Sequence, residues 1–402
     1  MTRKEDKKNI YLLGGSSMFN DMGSEMISPI LPFFISALGG GGIAIGLISG
    51  LREGLSSLLK LFGGWFSDRI GKRKEIIFFG YLASTILKLL IGLAKSANQV
   101  IAFVSLERIG KIRDPPRDAI ISQMKIRKGD GFGLHQMFDS LGGFLGTVAV
   151  ILIFWLLKWD FRTIVLVAGG IASLSLIPLF FVKDKKIDPI KRNMADSIYN
   201  LDKKLKKIIY ILAIFSIANF GLYMFVLLKA KSAIGGEIIP LALYAFFGLI
   251  CALGSRPFGR LSDKIGRKRT LFLGYILFII VCFGFAITTK ITTIGILFGL
   301  YGITFAMTDP VQRAMIADLS GREKGTAMGY FHFIRGMAVI IGGLIAGFIW
   351  NFNQNAMFFY LSGLGLIALF SLYGTKKTIH KIFHSEKEIT QAAKSIWEKH
   401  YK

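Results

Sequence analysis

At 402 residues, 52% of them hydrophobic, and with a mean hydropathy of +0.53, the chain is far too apolar for a soluble domain and has the composition of a multi-span membrane protein. Its formal net charge of +25 raises nucleic acid as a partner. Most of that charge lies in segments alternating with nearly uncharged ones, which is membrane topology rather than a nucleic-acid surface.

The first nine residues are charged and polar, and the first apolar run is too long for a signal-peptide core, so no cleaved leader is expected. Runs of about 20 apolar residues predict spanning helices near 11–37, 43–66, 75–95, 98–119, 132–157 and 162–182. A polar stretch, 183–207, carries nine Lys or Arg in 25 residues. Beyond it, helices are expected near 208–229, 238–261, 270–289, 293–317, 325–350 and 356–374. The expected architecture is an all-α membrane protein of twelve transmembrane helices in two pseudo-symmetric six-helix bundles, 11–182 and 208–374, joined by a basic cytosolic linker, 183–207. Residues 1–10 form a cytosolic N-terminus. In 375–402, Ile379, Ile382, Phe383, Ile389, Ala393, Ile396 and Trp397 recur at helical spacing in a basic tail, which predicts an amphipathic cytosolic helix on the membrane surface, or a partner-binding helix.

The basic loops at 69–74, 125–128, 183–207 and 264–269 fall on the side of the N-terminus, whereas 39–42 and 351–355 carry no basic residue. A multi-pass cell-membrane protein with both termini cytosolic follows. Cys251 and Cys282 lie in separate apolar runs and read as small core residues, with neither a disulfide nor a metal site implied.

One stretch occurs twice: GGWFSDRIGKRK at 63–74 and FGRLSDKIGRKR at 258–269, with Asp68 on Asp263, Gly71 on Gly266 and Arg73 on Lys268 at an offset of 195. Asp114-Pro115 and Asp309-Pro310 share that offset, and Gly129 and Asp139 fall on Gly325 and Arg335 at 196. Gly64 and Gly259 permit close helix approach, the aspartates can face a helix N-terminus, and the basic cluster stays in water. This duplicated turn resembles the loop after helix 2 of the major facilitator superfamily and its repeat after helix 8. The stretches FNDMGSEMISPILPFF, ERIGKIRDPPRDAI and GFGLHQMFDSLGGFLG are similar to a poorly characterised group of bacterial and archaeal permeases within it. The resemblance implies two bundles rocking about a mid-membrane substrate site lined by helices 1, 4, 7 and 10, without a cofactor.

Ionisable residues inside spans cost roughly 2.5–3.5 kcal/mol each at a helix centre, so each calls for a function or a partner. Asp21 and Glu25 on helix 1 share one face, and two nearby carboxylates in low dielectric cannot both ionise cheaply. With Glu53 and Glu107 they are the candidate proton-coupling acids; the alternative is fixed ion pairing to Arg52 or Arg108. Asp21, Glu25, Arg52, Arg108, Asn219, Thr304 and Thr308 are the candidate cavity residues, with aromatic lining from Phe220, Tyr223, Tyr244, Tyr301 and Phe305. Arg108 has its glycine two residues on, a departure from the spacing of the family's helix 4 motif.

Nearer the cytosol, Asp68 and Asp263 are expected at the starts of helices 11 and 5. Arg69, Arg73 or Arg267 are expected to pair with Asp114, Asp118, Asp309 or Asp318, and Asp139 with Arg256 between the halves. With Arg335 these residues form a candidate gate whose pairs break when the cytosolic side opens. Helix 5 has Gly146-Thr147 where exporters of the family often show Gly-Pro, so export is only slightly favoured.

The resulting expectation is a monomeric secondary active transporter of a small organic solute, coupled to protons, in contact with anionic lipid and not acting on nucleic acid. It is not expected to be an enzyme: His135 and His332 stand alone near helix starts, and there is no Walker motif. Proton-coupled uptake, uniport and a transporter-derived sensor are the alternatives.

Overall fold

The computed structural model describes residues 3–28, 30–31, 34–35, 38, 42–184, 188–220, 222–234 and 238–374. The side chains of Arg52, Glu53 and Tyr223, and the whole of the tail at 375–402, lie outside the described residues. Hydrocarbon leaves backbone groups no water to bond, and among the described residues every regular element is accordingly a helix.

The first half comprises α1 (Arg3–Ile27), α2 (Gly42–Ile70), α3 (Arg73–Leu93), α4 (Ala97–Glu107), a 3-10 segment (Arg108–Arg113), α5 (Asp114–Gln123), α6 (Lys128–Leu152), α7 (Phe161–Ser173) and α8 (Leu176–Phe181). A short linker helix, α9 (Met194–Tyr199), precedes the second half: α10 (Lys203–Ala218), α11 (Leu222–Ile234), α12 (Ile238–Ile265), α13 (Arg267–Ile287), α14 (Ile291–Leu319), α15 (Lys324–Phe352) and α16 (Gln354–Tyr373). Helix α1 thus begins within the stretch expected to be a separate N-terminus, and α10 begins within the expected linker.

The sixth expected helix runs as α7 and α8 with a turn at 174–175, and two others are broken outright. The fourth is α4, the 3-10 segment and α5, because Pro115 and Pro116 stand at the start of α5 and offer no N–H to the preceding turn. The repeat-related segment has the single Pro310 and stays helical throughout α14. The seventh breaks between Ala218 and Leu222, where Asn219 leaves the helical region at φ −102° and ψ 41°.

Among the described residues, seven helices are long and apolar enough to cross a membrane: 73–93, 161–181, 242–265, 267–287, 291–319, 324–352 and 354–373. The segments outside that set are α1, which carries Asp21 and Glu25, α2, which carries Arg52, Glu53 and Lys60, α6, which carries His135 and Asp139, and the two broken ones. Polarity concentrates on the elements that supply the buried side chains of the candidate site.

The duplicated turn adopts one geometry in both copies. Gly71 and Gly266 have φ of 69° and 96°, each with its N–H bonded at 3.1 Å to the carbonyl of the serine four residues earlier. The halves meet along two seams, α2 on α15 and α6 on α12. Both seams are close at the end carrying the basic loops: an ideal Cβ on Gly64 would lie 2.2 Å from the Gly325 carbonyl oxygen, and one on Gly259 2.1 Å from that of Gly129; on the first seam the close approach continues to Gly336, which faces Ser57. Further along the second seam, Gly248 and Phe144 stand at the ordinary van der Waals separation of 3.6 Å.

Candidate functional site

Within the first half, α1, α3 and α4 are tied by a buried polar chain. Lys88 of α3 is 2% exposed, and its ammonium has three acceptors: the Asn20 carbonyl at 3.2 Å, Asn20 Oδ1 at 2.7 Å and Ser84 Oγ at 3.1 Å. Its charge is faced by Glu107 Oε1 at 3.8 Å, which also accepts from Ser84 Oγ at 2.5 Å, while Arg108 pairs with the other carboxylate oxygen of Glu107. Asn20 Nδ2 in turn donates to Asp21 Oδ1 at 3.2 Å. Asp21 is therefore joined through Asn20 and Lys88 to Glu107 and Arg108, with Asp139, Lys111 and Arg113 within electrostatic reach. Glu25 is half-buried one turn beyond Asp21, beside Gly143 of α6.

Toward the basic loops the halves are closed against each other. Asp68 accepts from the backbone N–H of Gly325 (3.1 Å) and Thr326 (2.8 Å) and from the Thr326 hydroxyl (3.1 Å), so its carboxylate meets the N-terminus of α15. Asp263 does the same at α6, accepting from Gly129 N (3.0 Å) and Asp130 N (2.8 Å). Each aspartate is backed by a cation of its own half, Arg73 at 2.7 Å and Arg267 at 2.6 Å. Deeper, Asp118 joins Arg117 at 3.4 Å, Arg313 at 3.9 Å and His332 at 2.9 Å, the last two across the halves. Asp118 and Arg313 are repeat-related, 195 apart, so opposite charges stand at matching positions of the two halves and face each other. Arg313 also bonds Gln136, Lys128 reaches Asp318 at 3.1 Å, and Lys324 donates to the Ser122 carbonyl at 3.3 Å.

Several expected pairings differ. Arg256 pairs with Asp130 at 2.9 Å, not with Asp139, because it stands opposite Gly133 and Asp139 lies about two turns deeper; Asp139 faces His135 at 3.2 Å instead. Arg69 is exposed over the Trp65 ring, 5.0 Å from its centroid, and takes none of the four expected aspartates. Arg73 serves Asp68 instead, while Arg267 takes the expected Asp318 at 3.0 Å and also Asp263. Asp114 is held by Lys60 at 3.5 Å and Arg117 at 3.4 Å, and Asp309 by Arg313 at 2.9 Å and Arg335 at 2.5 Å, all within one half.

In the second half, Thr304 and Thr308 are buried and turn their hydroxyls onto carbonyls one turn back, at 3.0 and 2.8 Å, so they do not offer the expected cavity contacts. Asn219 accepts from Tyr301 Oη at 2.9 Å, a bond between α14 and the break after α10. Tyr301 stacks on Phe247, which also contacts Tyr244 and Phe305. The two halves thus differ: a chain of charges, Lys88–Glu107–Arg108, is buried in the first, whereas aromatic rings surround Asn219 and Tyr301 in the second.

A sequence model of the Major Facilitator Superfamily matches residues 13–231 and 208–401. The chain belongs to the Major Facilitator Superfamily. It is 44% identical over 375 residues to the uncharacterized MFS-type transporter MJ1317 of Methanocaldococcus jannaschii, covering 91% of this chain and 94% of the relative. It is 24% identical over 384 residues to the multidrug resistance protein MdtH of Sodalis glossinidius, covering 90% and 92%. The fold is shared with the human organic anion transporter MFSD10 (TETRAN), at a TM-score of 0.81 and 17% identity over 91% of this chain and 99% of that one.

For this Major Facilitator Superfamily protein, a multi-pass membrane protein of a transporter family, the residues that sequence reading missed are Lys88, Lys60, Gln136 and the two histidines as charge partners. A lysine well inside the apolar run of α3 was a legible signal for the first. His332 stood alone in sequence because Asp118 comes from another helix, whereas Asp139, one helical turn after His135 on α6, was within reach of the helical period.

Proposed function

We propose that the chain is a secondary active transporter of a small organic solute, working by alternating access with proton coupling. In this reading twelve helices in two bundles cross the cell membrane and both termini face the cytosol. The protein acts as a monomer, with anionic lipid at its basic face, and it neither binds nucleic acid nor acts as an enzyme. The observation that carries the reading is the buried chain from Asp21 through Asn20 and Lys88 to Glu107 and Arg108, held in the half opposite an aromatic face. A proton arriving on Asp21 or Glu25 changes the charge against which Lys88 and Arg108 are balanced, and so changes what the cavity binds. Arg52 and Glu53 complete the candidate set.

Closure of the basic face by Asp68, Asp263 and the Asp118–Arg313–His332 cluster supports a gate on the cytosolic side. The multidrug resistance relative adds support for export. The test is a pH-dye assay in proteoliposomes that screens pooled solutes with and without an imposed proton gradient. Substrate-dependent proton flux is expected, and Asp21→Asn or Glu25→Gln should abolish gradient-driven transport while leaving the protein folded. Unchanged proton dependence in both variants would overturn the assignment of the coupling site.

A further inference from the structure

Helix α10 opens against the usual electrostatic pattern. Its first turn has no acidic residue and starts Lys203-Lys204, with Lys206 and Lys207 following, so cations crowd the positive end of the helix dipole. Lys203, Lys206 and Lys207 are spaced i, i+3 and i+4 on one face, where like charges repel. Among the described residues no carboxylate lies within ion-pair distance of any of the three. The nearby Asp202 is engaged as the helix cap, bonded to Lys204 N at 2.6 Å.

The same face continues into an apolar floor. Tyr210, Ile211 and Ile214 line, with the three lysines, a shallow groove of about 430 Å³. Tyr210 is 51% exposed, and Tyr199 of α9, 81% exposed, stands under the Lys206 ammonium, which also donates to its carbonyl at 2.8 Å. A row of cations above exposed tyrosines and then isoleucines is the order of groups met on passing from water through the headgroups into hydrocarbon.

We infer that this groove binds one anionic phospholipid, its phosphate among Lys203, Lys206 and Lys207 and its acyl chain along Tyr210, Ile211 and Ile214. The inference rests on the reading of the basic face as the one against an anionic leaflet, and not on proton coupling or on any solute. The lipid anion supplies a counter-charge for Lys203, Lys206 and Lys207 beyond the single carboxylate of the Asp202 cap. The chain's own tail does not, since 375–402 holds seven lysines against three glutamates. A soluble anion would leave the apolar floor wet. The bound lipid also braces a contact to the gate helix, because Tyr210 Oη lies 2.5 Å from Tyr330 Oη of α15, whose first turn is held by Asp68.

The test is native mass spectrometry of the full-length protein in detergent with equimolar phosphatidylglycerol and phosphatidylethanolamine. The wild type is expected to retain phosphatidylglycerol preferentially. K203Q/K206Q/K207Q should weaken that retention by about a hundredfold, at about fivefold per lysine. K4Q/K7Q/K8Q, which removes the same charge elsewhere on the basic face, should leave it unchanged. Equal retention by the α10 variant and the wild type would overturn the site, as would equal losses in both triple variants, which would mean general charge attraction. Efficient disulfide trapping of Lys207→Cys with Trp397→Cys in the full chain would assign the groove to the tail and overturn it as well. All of the substituted lysines are exposed except the half-buried Lys206, and an unchanged melting temperature confirms that the variants are folded.

Discussion

Asp68→Asn is expected to open the basic face, and its effect divides into two parts. The bond from Arg73 joins α2 to α3 inside one half and persists whether the halves are closed or apart. Arg73 is fully buried, so weakening its one carboxylate pairing among the described residues lowers the stability of both states together. The bonds from Gly325 N, Thr326 N and the Thr326 hydroxyl cross between the halves and exist only when they are closed. Charge-assisted bonds contribute about 1.5–3 kcal/mol each, with about 0.3–1 kcal/mol more from the helix dipole. Asparagine keeps one neutral acceptor and sets its amide against the remaining N–H groups, so the closed state loses about 2–4 kcal/mol relative to the open one. That is a shift of roughly thirtyfold to a thousandfold in the equilibrium between them.

Spin labels on Lys72→Cys and Lys264→Cys, both exposed in the two copies of the duplicated turn, would report the separation. Cys251 and Cys282 are buried and need not be removed. A broader, longer distance distribution is expected for Asp68→Asn, and likewise for Asp263→Asn, whose bonds to Gly129 and Asp130 are equivalent. An unchanged distribution in both variants, with a lowered melting temperature alone, would show that these aspartates stabilise the fold without controlling the gate.

Gly64→Ala should also favour separation, because its Cβ would sit 2.2 Å from the Gly325 carbonyl; an overpacking cost of about 1–3 kcal/mol falls on the closed state alone, and the same labels would measure it. Lys88→Met should lower thermal stability by about 1.5–3 kcal/mol, since Arg108 still pairs with Glu107, and adding Glu107→Gln, which deprives Arg108 of that carboxylate, should deepen the loss in a thermal double-mutant cycle. Glu323 has its carboxyl raised above the usual range by burial, with Asp68 adding repulsion and Arg192 opposing it. A raised carboxyl favours the folded state when protonated and loses that contribution as pH rises, so Glu323→Gln should match the wild type near about pH 4 and melt higher near about pH 8.

The parts of the fold legible in the sequence were those set by local chemistry. The duplicated turn announced itself through Gly71 and Gly266, which take positive φ, and through Asp68 and Asp263, whose carboxylates lie at helix starts. What sequence reading missed depends on how helices cross. The partner of Arg256 is Asp130 rather than Asp139 because the α6–α12 register places Gly133 opposite the arginine, and no spacing within either helix encodes that register. Thr304 and Thr308 looked like cavity residues by depth, yet a hydroxyl in a helix has its own backbone as an acceptor. The break of the fourth helix was written in Pro115-Pro116, but a double proline specifies an interruption without specifying the coil that precedes it.

That coil has a mechanical consequence. The six residues of Arg108–Arg113 wind as a 3-10 segment between Glu107 on one side and Asp114 and Asp118 on the other. A 3-10 coil advances about 2.0 Å and turns about 120° per residue, against about 1.5 Å and 100° for an α-helix. Rewinding this segment would draw its ends together by about 3 Å and rotate them against each other by about 120°. The segment is a short screw, and its pitch sets the angle between the buried acid of the Lys88–Glu107 chain and the two aspartates beyond it.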